Sequence, residues 1–201
     1  MKHIKKFSII ECKGTSYQIG QQWGEACREN IRYSFDFNIG TIANGYKTPR
    51  ANVIAVANKY LPKVKEFDPQ YIELVKGLAE GADLTFDEVF ALRCTLELSL
   101  YYNQLTGLCS SFAATGESTQ GGKTLLGQNI DWLPGYPIDL LKIYPENGPN
   151  QLSLSLGGIV EYTLNSAGFG MCANSLLTSM ENFRLNIPIA CYLPKLCAKI
   201  I

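Results

Sequence analysis

The chain of 201 residues, 46% hydrophobic and 18% charged, is long enough to bury one substantial core and short enough to hold a single domain. Its 18 Lys+Arg balance its 18 Asp+Glu, so no overall field draws in a polyanion; nucleic acid and anionic membrane are excluded as expected partners. The opening MKHIKK is basic, but the apolar run at 7–10 is interrupted and too short for a signal-peptide core or a membrane span, which predicts a cytoplasmic protein.

In chain order, residues 5–12 fit a first strand, and Gly14 turns it into a long amphipathic helix from Ser16. Ile19, Trp23, Cys27, Ile31 and Phe35 recur every four residues as its buried face. Gly20 and Gly24 share a side of that helix and predict close approach of another backbone. Thr48-Pro49 opens a second helix carrying Val53, Val56, Tyr60 and Val64 inward, with Pro62 kinking or shortening it. Asp68-Pro69 opens a third helix with Ile72, Val75 and Ala79 inward and a stop at Gly81. Thr85 to Glu88 is a capping box with a Leu84/Val89 staple, starting a fourth helix that runs to about Tyr102.

Beyond this the period changes from helical to alternating. Two short strands with a polar turn between them fill 107–132, and further strands are expected at 140–144, 152–156, 159–164 and 169–173, a β-meander. Leu152, Leu154 and Leu156 alternate with Gln151, Ser153 and Ser155, the period of a strand with one covered face. Pro194 opens a last apolar helix with Leu196, Cys197, Ile200 and Ile201 on one face; with no cap or polar run after it, this end predicts a truncated chain prone to self-association.

The residues that carry chemistry are few. The segment from Gly116 to Thr124 misses the phosphate-loop pattern by one residue and leads into a strand, so it reads as a solvated hairpin turn with Lys123 as a surface charge. Seven scattered cysteines without a C-x-x-C pair argue against a disulfide framework or structural zinc, and no metal or organic cofactor is called for. The single histidine, His3, lies near a terminus, so neither a Cys-His nor a Ser-His dyad has a credible base.

Cys109 stands out through its neighbours: Ser110-Ser111-Phe112, then Gly127-Gln128-Asn129-Ile130-Asp131-Trp132, then the later Gly168 to Asn174 run. With the opening helix at 14–30, these segments resemble the acyl-coenzyme A:isopenicillin N acyltransferase family of N-terminal-nucleophile hydrolases, more distantly the choloylglycine hydrolases and penicillin V acylases. The resemblance implies an α+β fold of four αββα layers, incomplete at the C-terminus, with 1–108 a mostly helical propeptide or small subunit and 109–201 the first part of the β-rich catalytic subunit. It implies self-cleavage at Leu108-Cys109, where the family usually has glycine before the nucleophile, and a new α-amine serving as base beside the Cys109 thiol. Asp131 matches the catalytic aspartate that supports that amine and thiol, and Asn174 the position giving an oxyanion donor through its backbone N–H. Gln128, where bile-salt hydrolases have arginine, favours the acyltransferase branch; a further asparagine and an arginine of the family lie beyond Ile201. The substrate implied is a small acyl amide or acyl thioester. Tyr101, Tyr102 and Trp132 are candidates to line an acyl pocket. The alternative is a truncated non-catalytic fragment, or a partial subunit completed by a second chain.

Overall fold

A computed structural model of the chain describes residues 8–101, 109–174 and 185–198. His3, Tyr102, Leu108, Ile200 and Ile201 lie outside the described residues, and with them the leucine side of the expected cleavage bond.

Strand β1 (Ile9–Gly14) leads into α1 (Ser16–Ala26), which Thr15 caps by accepting from the Gln18 N–H while the Gln18 side chain returns to the Thr15 backbone. The expected single long helix is two: Cys27 leaves helical geometry at φ −115°, and α2 (Arg28–Gly45) continues the same four-residue stripe. The Thr48-Pro49 helix is α3 (Arg50–Ala57). A 3-10 turn at Asn58–Tyr60 and α4 (Leu61–Phe67) follow it, with Pro62 in the first turn of α4, where its missing N–H costs nothing. Asp68 caps α5 (Pro69–Ala82), which runs past the expected stop at Gly81 and ends on Asp83 at φ 55°. The Thr85 capping box opens α6 (Phe86–Arg93), and Cys94 separates it from α7 (Thr95–Tyr101).

Gly81 stays inside α5 because α1 and α5 run in parallel at backbone contact. A Cβ added at Gly20 would lie 2.1 Å from the Leu74 carbonyl oxygen, at Gly24 2.6 Å from that of Leu78, at Gly77 2.0 Å from that of Tyr17, and at Gly81 2.2 Å from that of Gln21. The expectation that Gly20 and Gly24 serve packing therefore holds, with Gly77 and Gly81 as the answering pair.

After the helices come β2 (Cys109–Gly116) and β3 (Gly122–Ile130), an antiparallel ribbon, then β4 (Asp139–Pro145), β5 (Gln151–Ser155) and β6 (Glu161–Asn165). The last three form the expected meander, and β1 joins its edge parallel to β4, giving the order β1-β4-β5-β6. Residues 169–171 are less than the expected strand, a single bridge between Gly170 and Leu164. Helix α8 (Ile189–Cys197) starts at Pro188, not at Pro194, which sits inside it. Proline has no N–H to give the carbonyl four residues back, and the freed Ala190 oxygen instead accepts from Arg93 Nη2 at 2.9 Å. The fold is thus α+β, with helices on one face of the four-stranded sheet.

The sheet's inner face is apolar over β1 and most of β4, where Cys12 and Leu141 are buried, and polar towards β5 and β6, where Ser153, Ser155, Glu161, Thr163 and Asn165, with Asp139, are buried against the helices. Arg93, 1% exposed, meets the Glu161 carboxylate through both terminal nitrogens, with Nη2 at 2.7 Å from Oε2, and adds Tyr71 Oη at 2.8 Å and the Gly158 oxygen at 3.1 Å. A charge pair removed from water to this degree holds only if every proton finds a partner, and here five donor contacts do so. The outer face is open, with Ile9 53%, Leu152 46% and Leu164 54% exposed beside the Lys142–Glu11 ion pair.

Candidate active site

Cys109 is the first residue of β2 and pairs with Ile130, the last of β3; Ser111 pairs with Gln128 and Phe112 with Gly127. Side chains alternate along a strand, so Cys109, Ser111, Gln128 and Ile130 share one face of the ribbon. On the other face the exposed Phe112 ring lies over Gly127, where an added Cβ would sit 2.3 Å from Cε1 and push the ring aside.

The ribbon joins the sheet through residues 169–174. On one side Asn165 N–H donates to the Phe169 oxygen at 2.8 Å and Met171 N–H to the Thr163 oxygen at 3.1 Å. On the other side Gln128 Nε2 donates to the Ala173 oxygen at 2.6 Å while Ala173 N–H donates to Gln128 Oε1 at 3.0 Å. One residue on, Asn174 Nδ2 donates to Ser111 Oγ at 2.9 Å. Tyr162, on the outer face of β6, completes the group. Burial first, then the nearby Cys109 and Cys172 thiols, push its phenol above the ordinary range, against a hydrogen bond with Gln128 that pulls it down.

All seven cysteines are free. Five are buried, and burial pushes their thiols up, to about 11 at Cys12 and Cys197 and about 12 at Cys191, which makes them poor nucleophiles. Cys109 and Cys172 are the half-buried pair, both beside Tyr162. Asn174 is thus tied to Ser111, two residues along β2 from Cys109, and Gln128 and Tyr162 lie in the same neighbourhood.

Asp131 follows immediately after β3, exposed, and accepts from Asn129 Nδ2 at 3.4 Å. No hydrogen bond joins Asp131 to Cys109 among the described residues. Trp132 packs against the core and stacks edge-on to Tyr136 at 6.0 Å, and Tyr101 is 44% exposed at the end of α7. Tyr162 carries no sequence signal of its own, whereas Ser111 enters through the Ser110-Ser111-Phe112 run and Gln128 through the Gly127 to Trp132 segment.

A cavity of about 420 Å³ lies between α1, α5, α8 and the inner sheet face, lined by Trp23, Tyr71, Ser153, Glu161, Thr163 and Lys195 among others. It opens on the opposite side of the sheet from Tyr162, and hence from Cys109. No group of acidic, histidine and cysteine side chains among the described residues is placed to hold a metal ion, and no helix among them is long and apolar enough to cross a membrane.

No family model matches the chain. Among curated proteins, it is 26% identical over 170 residues to the 40 kDa form of acyl-coenzyme A:6-aminopenicillanic-acid-acyltransferase of Emericella nidulans. The aligned part covers 83% of this chain and 46% of that protein, so the chain spans about half the length of this relative.

Proposed function

We propose that the chain carries the nucleophile half of a cysteine-dependent acyltransferase or amide hydrolase, with Cys109 made N-terminal by cleavage of the Leu108-Cys109 peptide. The observation that carries this reading is the half-buried Cys109 at the mouth of the Ser111, Gln128 and Asn174 cluster, in a chain distantly similar to an acyltransferase. Hydrolysis of the Leu108-Cys109 bond consumes one water and leaves a carboxylate on Leu108 and an α-amine on Cys109. That amine, with an ordinary pKa of roughly 7.7–8.0, takes the thiol proton in a site that has no histidine among the described residues.

The sulfur then attacks an acyl carbonyl, a C–S bond forms, and the amine or thiol leaving group departs with the proton held by the α-amine. Water or an acceptor amine attacks the thioester, returns the sulfur as thiolate and carries the acyl group away. Asn174 gives one side-chain N–H to Ser111, which fixes the residue so that its backbone N–H serves as the donor to the developing oxyanion. Asp131, one residue beyond Cys109's cross-strand partner, orients the new amine. The exposed Ile9, Leu152 and Leu164 on the open outer face of the sheet suit a second β layer, as the four-layer αββα arrangement has.

Intact-mass analysis of the purified chain tests the proposal. Two fragments meeting at Cys109, and an acyl adduct on the second after incubation with an acyl-coenzyme A, are expected; Cys109→Ala stays in one piece and takes no adduct. A chain that remains uncut and unacylated at Cys109 refutes it.

A further inference from the structure

We infer that Gln128 is a positioning residue for Cys109 chemistry, its side-chain amide taking the place of a strand peptide to hold residues 171–174 against the nucleophile. This inference rests on the acyl-transfer reading. A strand between β6 and β3 would exchange backbone bonds with both. Residues 169–171 do so with β6, but towards β3 the two bonds to Ala173 come from one side chain, donor at 2.6 Å and acceptor at 3.0 Å.

Only a carboxamide offers an N–H donor and a carbonyl acceptor side by side in a plane, the same pair that a peptide offers. Glutamate would meet the Ala173 N–H but set its second oxygen against the Ala173 carbonyl. Arginine would serve the carbonyl and leave the N–H without a partner. Asparagine is one carbon–carbon bond, about 1.5 Å, too short.

The placement of this clamp gives it a functional consequence. Gln128 faces Ser111 across the ladder, and Ser111 holds the side chain of Asn174, the residue after Ala173. Two successive residues of the segment are therefore fixed from opposite strands, and the Asn174 backbone has little freedom to drift from Cys109. Cys109 lies two residues before Ser111 on the same face. An oxyanion donor acts only when it is aimed before charge develops, and losing one typically costs a factor of about 100 to 1,000 in turnover. A donor loosened rather than removed loses part of that.

The test uses the whole chain, with p-nitrophenyl butyrate as acyl donor, acylation read from p-nitrophenolate release and the adduct confirmed at Cys109 by mass. Gln128→Leu and Gln128→Glu are expected to slow acylation about 10- to 100-fold with KM within about threefold, while iodoacetamide labels Cys109 at close to the wild-type rate. That split separates aiming from general disorder, which would slow labelling and raise KM together. Wild-type acylation at Cys109 with no slowing in either variant overturns the inference, as does a parallel fall in acylation and labelling. No acyl adduct at wild-type Cys109 instead refutes the acyl-transfer reading and takes the positioning role with it. Should Gln128→Leu fail to fold, Gln128→Glu decides, with amide exchange at Ala173 as the second reading: faster there and unchanged in β4 to β6 supports the clamp, and unchanged at Ala173 overturns it.

Discussion

Replacing Gly77 by alanine sets two physical effects against each other at one site. Alanine in a helix interior is favoured over glycine by about 1 kcal/mol, because glycine loses more backbone freedom on folding. At Gly77, however, the new methyl would lie 2.0 Å from the Tyr17 carbonyl oxygen and 2.8 Å from the Gln21 nitrogen, both main-chain atoms. Ordinary carbon–oxygen contacts are about 3.3–3.6 Å, so α1 and α5 must part by more than ~1 Å. That motion also opens the contacts at Gly20, Gly24 and Gly81, and overpacking of this kind costs about 1–3 kcal/mol, occasionally more. Because both clashing atoms are main chain, the steric cost falls at the upper end, about 2–3 kcal/mol, so Gly77→Ala is expected to lose about 1–2 kcal/mol net, a fall of roughly 2–8 °C in Tm. Gly40→Ala is the matched control. Its methyl meets only the mobile end of Arg50, Nη2 at 2.9 Å, so propensity wins and stability stays level or rises by up to about 1 kcal/mol. Urea unfolding of both variants checks this. A Gly77→Ala protein as stable as wild type, or a Gly40→Ala protein that loses as much, refutes the backbone-contact account.

Arg93→Met leaves the Glu161 carboxylate buried without its partner and is expected to cost about 3–5 kcal/mol. The double variant Arg93→Met/Glu161→Leu should recover a large part of that in the same urea titration. Glu97 gives a pH prediction. Its Oε1 accepts from the Ile189 N–H at 2.8 Å at the start of α8, its Oε2 is buried without a partner, and burial pushes its carboxyl up to about 7. The folded chain therefore holds this proton over a range where the unfolded chain has released it. Stability from this group is full below about pH 4.5 and is lost as pH rises to about 7, by at most about 3 kcal/mol. Urea midpoints between pH 5 and 7.5 should fall with pH in the wild type and fall less in Glu97→Gln.

What the sequence made legible was local chemistry. Thr85 with Glu88, Asp68 with Pro69 and the stripe from Ile19 to Phe35 each fix a helix start or a buried face within a few residues. Cys27 and Cys94, where helices break, have no breaker chemistry of their own, so neither break is marked in the sequence. Pro194 misled for a related reason. Proline opens helices so often because it lacks a donor, and here a buried arginine far away in sequence makes good that lack. The Arg93–Glu161 pair and the parallel pairing of β1 with β4 join residues that only the finished fold brings together.

The alternation in β5 shows the limit most sharply. Leu152 and Leu154 against Ser153 and Ser155 correctly give a strand with two unlike faces, and the natural inference is that the leucines face the core. Leu152 does not: it is 46% exposed while Ser153 and Ser155 are buried under the helices, Leu154 is only partly buried, and Leu156 reaches the core just past the end of the strand. The serine side can be buried because its groups are answered, Ser153 by Thr163 at 2.8 Å across the ladder, Ser155 by the Gly158 N–H at 3.1 Å, Asn165 by the Cys197 carbonyl at 2.8 Å and Glu161 by Arg93. Period reveals that two faces differ; only the layer laid against a face decides which is covered. The same limit governs the site. Alternation groups Cys109 with Ser111, but that Gln128 joins them follows from register, a property of the partner strand that neither strand's own sequence contains.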